Sequence, residues 1–232
     1  MKRLPYGTRS DEPIFEFTKQ AVEHLFNIKD CKLVILACNT ASARALRRIQ
    51  QEVLPMKYPD RRVLGVIIPA VEEAISLDAK KVGVLATSAT IRSEAYKTEI
   101  NKLDRRIKVY EKTAPSLVTL IENDEIKFIE PVLRNYLKPL LAKKIDTLIL
   151  GCTHYPIVKN LIKKIVGKKI KMVSQEEIIP KKLADYLARH PETDSEISKN
   201  GNREILVTEI TDGFKKMAKK WLGKEVSLEV VN

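Results

Sequence analysis

Apolar positions along this chain fall into two alternating rhythms. Between residues 12 and 28, Ile14, Phe17, Thr18, Ala21, Val22 and Leu25 recur at three- and four-residue intervals, predicting an amphipathic helix. Lys32 to Ala37 follows as an apolar run of strand length, and C-N-T-A-S leads into Ala43 to Val53, rich in helix formers. The unit then repeats. Val63 to Ile68 reads as a strand, Val71 to Leu77 as a helix, Lys81 to Ala86 as a strand, Ser88 to Leu103 as a helix and Ile107 to Tyr110 as a strand. After Pro115 a short helix runs through Glu122, and a longer one from Glu130 to Lys143 precedes the strand Thr147 to Leu150, stopped by Gly151. A helix is expected after Pro156, a brief strand at Met172 to Val173 and a helix from Pro180 to Arg189. The polar stretch from 190 to 202 reads as the longest loop. A strand at Glu204 to Val207, a helix at Asp212 to Leu222 and a strand at Val226 to Val230 close the chain.

Strands that alternate with helices predict an α/β fold with mostly parallel sheets covered on both faces. With 232 residues the chain has room for one large domain or two small ones. Hydrophobic residues at 44% and charged residues at 31% argue against wholesale disorder. No window approaches the ~18 apolar residues of a membrane span, and the first residues lack a signal-peptide core, so a cytoplasmic protein with no membrane partner is expected. Three cysteines, an odd number without close C-x-x-C spacing, suit a reducing compartment and free thiols.

A net charge of +12 raises the question of nucleic acid. The lysines argue otherwise: they recur in pairs at helix ends and loops, as in Lys80-Lys81, Lys143-Lys144 and Lys219-Lys220, without interleaved aromatics. They read as a solvated basic surface, and nucleic acid is not the expected partner.

The chemistry concentrates at two similar units, L-V-I-L-A-C-N-T-A-S with Cys38 and T-L-I-L-G-C-T-H-Y-P with Cys152. Each cysteine ends a buried-looking strand and is followed by polar residues and a helix, the place where open α/β sheets bind ligands. A helix N-terminus favours a thiolate, so both thiols are expected to move from about 8.5 toward neutrality and serve as acid or base. Cys31 lacks such neighbours and reads as a small buried hydrophobe. A zinc site from Cys38, Cys152 and His154 would need a fourth ligand or an open position. His24 and His190 have no comparable setting.

These segments resemble the cofactor-independent aspartate/glutamate racemases. The matches are P-Y-G-T-R-S at Pro5 to Ser10, A-C-N-T-A-S at Ala37 to Ser42, G-V-L-A-T-S-A-T-I-R-S at Gly83 to Ser93 and I-D-T-L-I-L-G-C-T-H-Y-P at Ile145 to Pro156. The resemblance implies two facing α/β domains with the active site in the cleft between them: residues 1–62 with 175–232, and residues 63–174. It implies a two-base mechanism in which Cys38 and Cys152 remove and return the α-proton from opposite faces, with no pyridoxal phosphate or metal. Asn39, Thr40, Thr153 and the Tyr6-Gly7 backbone match the substrate-holding positions, and Thr87 and Thr90 match a loop reaching in from the second domain. His154 matches the histidine that assists the second thiol while also contacting substrate, and Glu122 aligns with an acidic residue near it. P-Y-G favours glutamate over aspartate as substrate, and D-glutamate for peptidoglycan as the product's use; a homodimer is left open.

Family members carry a strand, an Asp-Ser loop, a helix and a second strand before P-Y-G, and this sequence opens close to Pro5. The resemblance therefore implies that the Asp supporting the first cysteine, a substrate-holding Ser and a central strand are missing, as in a fragment, an incomplete gene model or a decayed copy. Exposed sheet edges and lowered stability are expected. A truncated, non-catalytic homologue and an aspartate racemase are the alternatives.

Overall fold

The computed structural model describes residues 5–223 and 227–231. The chain divides into two compact units, residues 7–197 and residues 1–6 with 198–232. The larger unit begins with α1 (Asp11–Asn27), β1 (Leu33–Leu36), α2 (Asn39–Arg44), α3 (Leu46–Arg48), a π-helical turn at Ile49–Val53, α4 (Leu54–Lys57), β2 (Arg62–Gly65) and α5 (Ile67–Ser76). It continues with β3 (Lys81–Ala86), α6 (Ser88–Arg92), α7 (Ala95–Leu103), β4 (Lys108–Thr113), α8 (Leu117–Glu122) and α9 (Ile126–Ala142). β5 (Thr147–Gly151), α10 (Lys159–Val166), β6 (Lys171–Val173), α11 (Gln175–Arg189) and α12 (Pro191–Glu196) complete it.

Two sheets organise this unit, β1-β2 and β4-β3-β5-β6, and every pairing is parallel. The α/β class with parallel sheets is therefore the observed one. In the four-stranded sheet the strand alternation sorts side chains by face. Leu85, Leu148 and Leu150 meet Leu117, Leu133, Leu137 and Ile162 from α8, α9 and α10. Val82, Val84, Ala86 and Ile149 face the other way, onto Val71 and Ala74 of α5, Tyr96 and Ile100 of α7 and Ile178 of α11. Helices on both faces bury the central strand β5 completely, which is why it reads as an unbroken apolar run. The two-stranded sheet has its own core, where Val34, Leu36 and Val63 pack with Phe15, Val22 and Phe26 of α1 and with Ala45 and Ile49.

Several boundaries differ from the sequence pattern. The segment 190–202 holds α12, with Thr193 buried, and is not one continuous loop. The strand expected to reach Ile68 stops at Gly65, and α5 starts at Ile67. The helix expected over 88–103 breaks in two at Glu94, whose φ of 52° is left-handed. α9 and α11 begin earlier than expected, at Ile126 and Gln175, leaving Pro131 and Pro180 inside helices. A proline is favoured at a helix start, but buried side chains such as Ile178 hold the preceding turn in place.

In the smaller unit β7 (Leu206–Val207) pairs in parallel with β8 (Glu229–Val230). Between them α13 (Asp212–Leu222) is capped by Thr211, whose hydroxyl accepts from Phe214 N at 3.1 Å, and ends on the left-handed Gly223. The expected strands at Glu204 and Val226 are shorter at both starts, Val226 lying outside the described residues. No described helix is long and apolar enough to cross a membrane.

Candidate active site

Cys38 follows β1 and Cys152 follows β5, so each thiol stands at the carboxyl end of a parallel strand, one from each sheet of the larger unit. Local bonds fix the first of these ends. Cys38 is the N-cap residue of α2, which places Asn39 and Thr40 in the opening turn of the helix. Ser42 Oγ donates to Leu36 O at 2.6 Å and accepts from Val66 N at 3.3 Å, joining the end of β1 to the turn after β2. Gly65 admits this approach, because a Cβ there would lie 2.5 Å from Leu46 Cδ2 and 3.1 Å from Ser42 Oγ.

Buried hydroxyls join the turn after β1 to the end of β3, the strand paired with β5. Thr40 Oγ1 lies 2.9 Å from Thr87 Oγ1 and 3.2 Å from Thr90 Oγ1, and the last two are 3.0 Å apart. Thr87 is also the N-cap of α6, its oxygen accepting from Thr90 N at 3.4 Å. Gly7 sits directly over this triangle: a Cβ on it would be 2.9 Å from Thr87 Cβ. Arg44 Nε reaches Ala89 O at 3.0 Å, a further bond from α2 to α6. Thr40, Thr87 and Thr90, expected from separate motifs, are thus one buried hydroxyl cluster, and Asn39 is buried beside Thr40 in the chain.

Around the second thiol, His154 Nδ1 lies 3.7 Å from Cys152 Sγ, and His154 Nε2 lies 3.0 Å from Glu122 Oε1 at the end of α8. A neutral imidazole that gives its Nε2 hydrogen to Glu122 carries its lone pair on Nδ1, toward the sulfur. Glu122 is well exposed in the rest of its surface, yet its carboxylate is spent on this bond. Thr153 is exposed, and Tyr6 opens a half-buried 3₁₀ turn, Tyr6–Thr8.

The expected lowering of the thiol pKa values does not hold. Burial pushes the Cys38 thiol above its ordinary 9.0, outweighing the N–H groups of Ala41 and Thr40 and the Thr40 hydroxyl, which all favour the thiolate. Burial likewise pushes Cys152 up to about 12, with the His154 and Tyr155 amides working against it and negative charge at Cys38 and Glu122 adding to it. Desolvation of a charged sulfur wins over two or three hydrogen bonds.

This makes a stability prediction. Below pH 9 both folded and unfolded chains keep the Cys152 proton; above it the unfolded thiol ionises while the folded one holds its proton toward pH 12, so stability falls over that window. At pH 10.5 the loss from this group is about 2 kcal/mol. Urea unfolding of Cys152→Ser beside the parent at pH 8 and pH 10.5 should show the variant gaining that much on the parent at the higher pH.

Two residues join the site that motif reading did not find. Tyr96 of α7 donates to Asn39 Oδ1 at 2.6 Å, and Gln175 of α11 donates to the same oxygen at 2.6 Å. Both lie in helices whose sequence shows only ordinary amphipathic spacing; the one available signal was that a buried tyrosine needs a hydrogen-bond partner. For the zinc alternative, no cluster of three or more His, Cys, Asp or Glu is arranged to hold a metal among the described residues.

Parallel sheets that present two cysteines at strand ends, one beside a polar Asn-Thr turn and one beside a Thr-His turn, define an α/β protein with two thiols where such sheets bind ligands. The chain matches the Asp/Glu/Hydantoin racemase family over residues 3–174 and belongs to that family. Among its relatives, the glutamate racemase of Streptococcus agalactiae is 34% identical over 230 residues, covering 98% of this chain and 84% of the relative. A glutamate racemase isoform from Bacillus anthracis superposes with a TM-score of 0.89 at 33% identity, covering 100% of this chain and 85% of that one. The glutamate racemase of Francisella tularensis, solved in complex with D-glutamate, gives 0.87 at 35% identity, covering 100% and 84%.

Proposed function

We propose that this chain interconverts L- and D-glutamate, with Cys38 and Cys152 as the acid and base on opposite faces of the α-carbon. The observation that carries the proposal is the pair of strand-end thiols, one held in the Asn39-Thr40 turn and the other in line with His154 and Glu122. In one direction a thiolate takes the α-proton, forming an S–H bond as the C–H bond breaks, and the opposing thiol gives its proton to the other face. The enzyme is left with the protonation states exchanged, ready for the opposite enantiomer.

Burial serves this chemistry in one respect and opposes it in another. A thiolate in a desolvated site is scarce, but the one that forms is a stronger base toward a weakly acidic C–H bond. The carbanion spreads its charge onto the α-carboxylate, where Asn39, Thr40, Thr87, Thr90, Thr153 and the Gly7 backbone are the proposed donors; fixed donors are worth most where charge develops. His154 takes the Cys152 proton through Nδ1, contacts substrate beside it and is oriented by Glu122. The product is D-glutamate made in the cytoplasm for peptidoglycan.

The test is solvent deuterium incorporation at Cα of L- and D-glutamate by the purified 232-residue chain, beside Cys38→Ser and Cys152→Ser. Incorporation into both enantiomers is expected from the parent chain. A folded chain that exchanges neither would sink the proposal, and exchange confined to aspartate would move the substrate. For the relay, His154→Asn is expected to lower kcat/KM about 10²-fold and Glu122→Gln about tenfold, followed by polarimetry. The loss must be equal in both directions, because enantiomers have the same free energy.

A further inference from the structure

Two thiols that act on one carbon from opposite faces must be held apart at a set spacing, yet they hang from different sheets. The side chain that spans them is Tyr96. It is fully buried at the start of α7, just after the left-handed turn at Glu94 that separates α7 from α6. Its hydroxyl donates to Asn39 Oδ1 at 2.6 Å, next in the chain to Cys38. Its ring lies on Gly151, next in the chain to Cys152: a Cβ at Gly151 would come within 3.2 Å of Tyr96 Cε2 and 2.9 Å of Ala86 Cβ. The contact is therefore available only to a glycine before the second thiol.

Gln175 completes the arrangement. Its Nε2 donates to Asn39 Oδ1 at 2.6 Å and its Oε1 accepts from Asn39 Nδ2 at 3.1 Å, while its side chain also hydrogen-bonds the Tyr96 oxygen. Asn39, Tyr96 and Gln175 come from α2, α7 and α11, and are respectively 1%, 0% and 6% exposed. A three-residue polar network this dry is rigid, because any one partner that moved away would leave another buried and unsatisfied.

We propose that Tyr96 is a positioning residue that ties the turn carrying Cys38 to the strand end carrying Cys152 and so sets the placement of the two thiols. It touches neither the reacting carbon nor the transferred proton. The proposal rests on the racemase reading for its kinetic consequence, but the tie itself is a property of the unliganded fold.

The test is Tyr96→Phe, which keeps the ring on Gly151 and deletes the hydroxyl. A misplacement near 1 Å costs about 10²-fold in rate, so kcat is expected to fall about 10- to 100-fold with KM changed less than about threefold. The primary isotope effect on kcat with α-deuterated glutamate should rise, and iodoacetamide should label Cys38 several-fold faster, with Cys31 as the unchanged internal reference. A Tyr96 that merely stabilises the fold would lower the active fraction and leave the isotope effect and the Cys38-to-Cys31 labelling ratio where they were, which overturns the proposal. Gln175→Ala, which retains the Tyr96 bond, is expected to move the same readings less, and decides the matter should Tyr96→Phe not fold: no change in its labelling ratio overturns the tie. Should the parent chain fail to exchange glutamate, the racemase reading falls while the labelling ratio still tests the tie.

Discussion

Cys152→Ser is expected to lower kcat/KM for glutamate by at least ~10³-fold while leaving the protein folded, and Cys38→Ser to do the same. Serine matches the shape of cysteine closely, and the groups around the two sulfurs, backbone amides with Thr40 at Cys38 and with His154 Nδ1 at Cys152, serve a hydroxyl as well. What is lost is acidity: an alcohol in the same desolvated pocket cannot become a base near neutral pH, and as an acid it cannot return the proton at a useful rate. The two variants should differ from each other in exchange. Each keeps one thiol, so each should wash deuterium into one enantiomer faster than the other, with the favoured enantiomer reversed between them. Proton NMR of the Cα signal in deuterium oxide reads both quantities. Retention of more than about a tenth of the parent rate in either variant contradicts a two-thiol mechanism.

Leu148→Ala is expected to destabilise the protein by about 3 kcal/mol, lowering its Tm by roughly 6–12 °C. Leu148 is fully buried in β5, hydrogen-bonded between β3 and β6, and packs among the α8, α9 and α10 side chains that cover one face of the sheet. Removing three carbons there leaves a cavity with no side chain free to fill it, since every neighbour is held by its own helix. Leu103→Ala is the control: that side chain is 59% exposed at the end of α7, and its loss should cost under about 0.5 kcal/mol. Calorimetry of the two variants checks the difference. Because β5 delivers Gly151 and Cys152, the Leu148 variant should also lose activity on warming before it unfolds globally.

Much of the fold was legible because the two hydrophobic rhythms are strong where packing is two-sided. β5 and β3 are continuous apolar runs, and α1 was legible as a helix although its face is turned from the expected one: Phe15 and Phe26 are buried with Ile14, Thr18 and Val22, while Phe17 and Leu25 are half-buried and Ala21 is exposed. The boundaries that shifted did so where a local signal competed with burial. Prolines at 131 and 180 suggested helix starts that tertiary packing pushed several residues earlier, and no periodicity announces that Glu94 breaks a helix by turning left-handed. These shifts reach the site. An α11 starting at Pro180 would leave Gln175 in a loop, and an unbroken helix over 88–103 would carry Tyr96 elsewhere.

By itself the sequence determined which residue types stand at the strand ends: two cysteines, each followed within two residues by groups able to hold an anion or move a proton. That follows from chain order alone, because a short apolar strand ends where polar residues begin. It could not determine the state of those thiols. Position at a helix start argued for lowered pKa values, and only the depth of burial, a sum over residues distant in the chain, showed that desolvation raises them instead. Nor could it bring Glu122 to within 3.0 Å of His154 or lay the Tyr96 ring on Gly151, contacts that bridge 32 and 55 positions. Those depend on how helices cross the faces of a sheet, which the chain settles only by packing its apolar surfaces together.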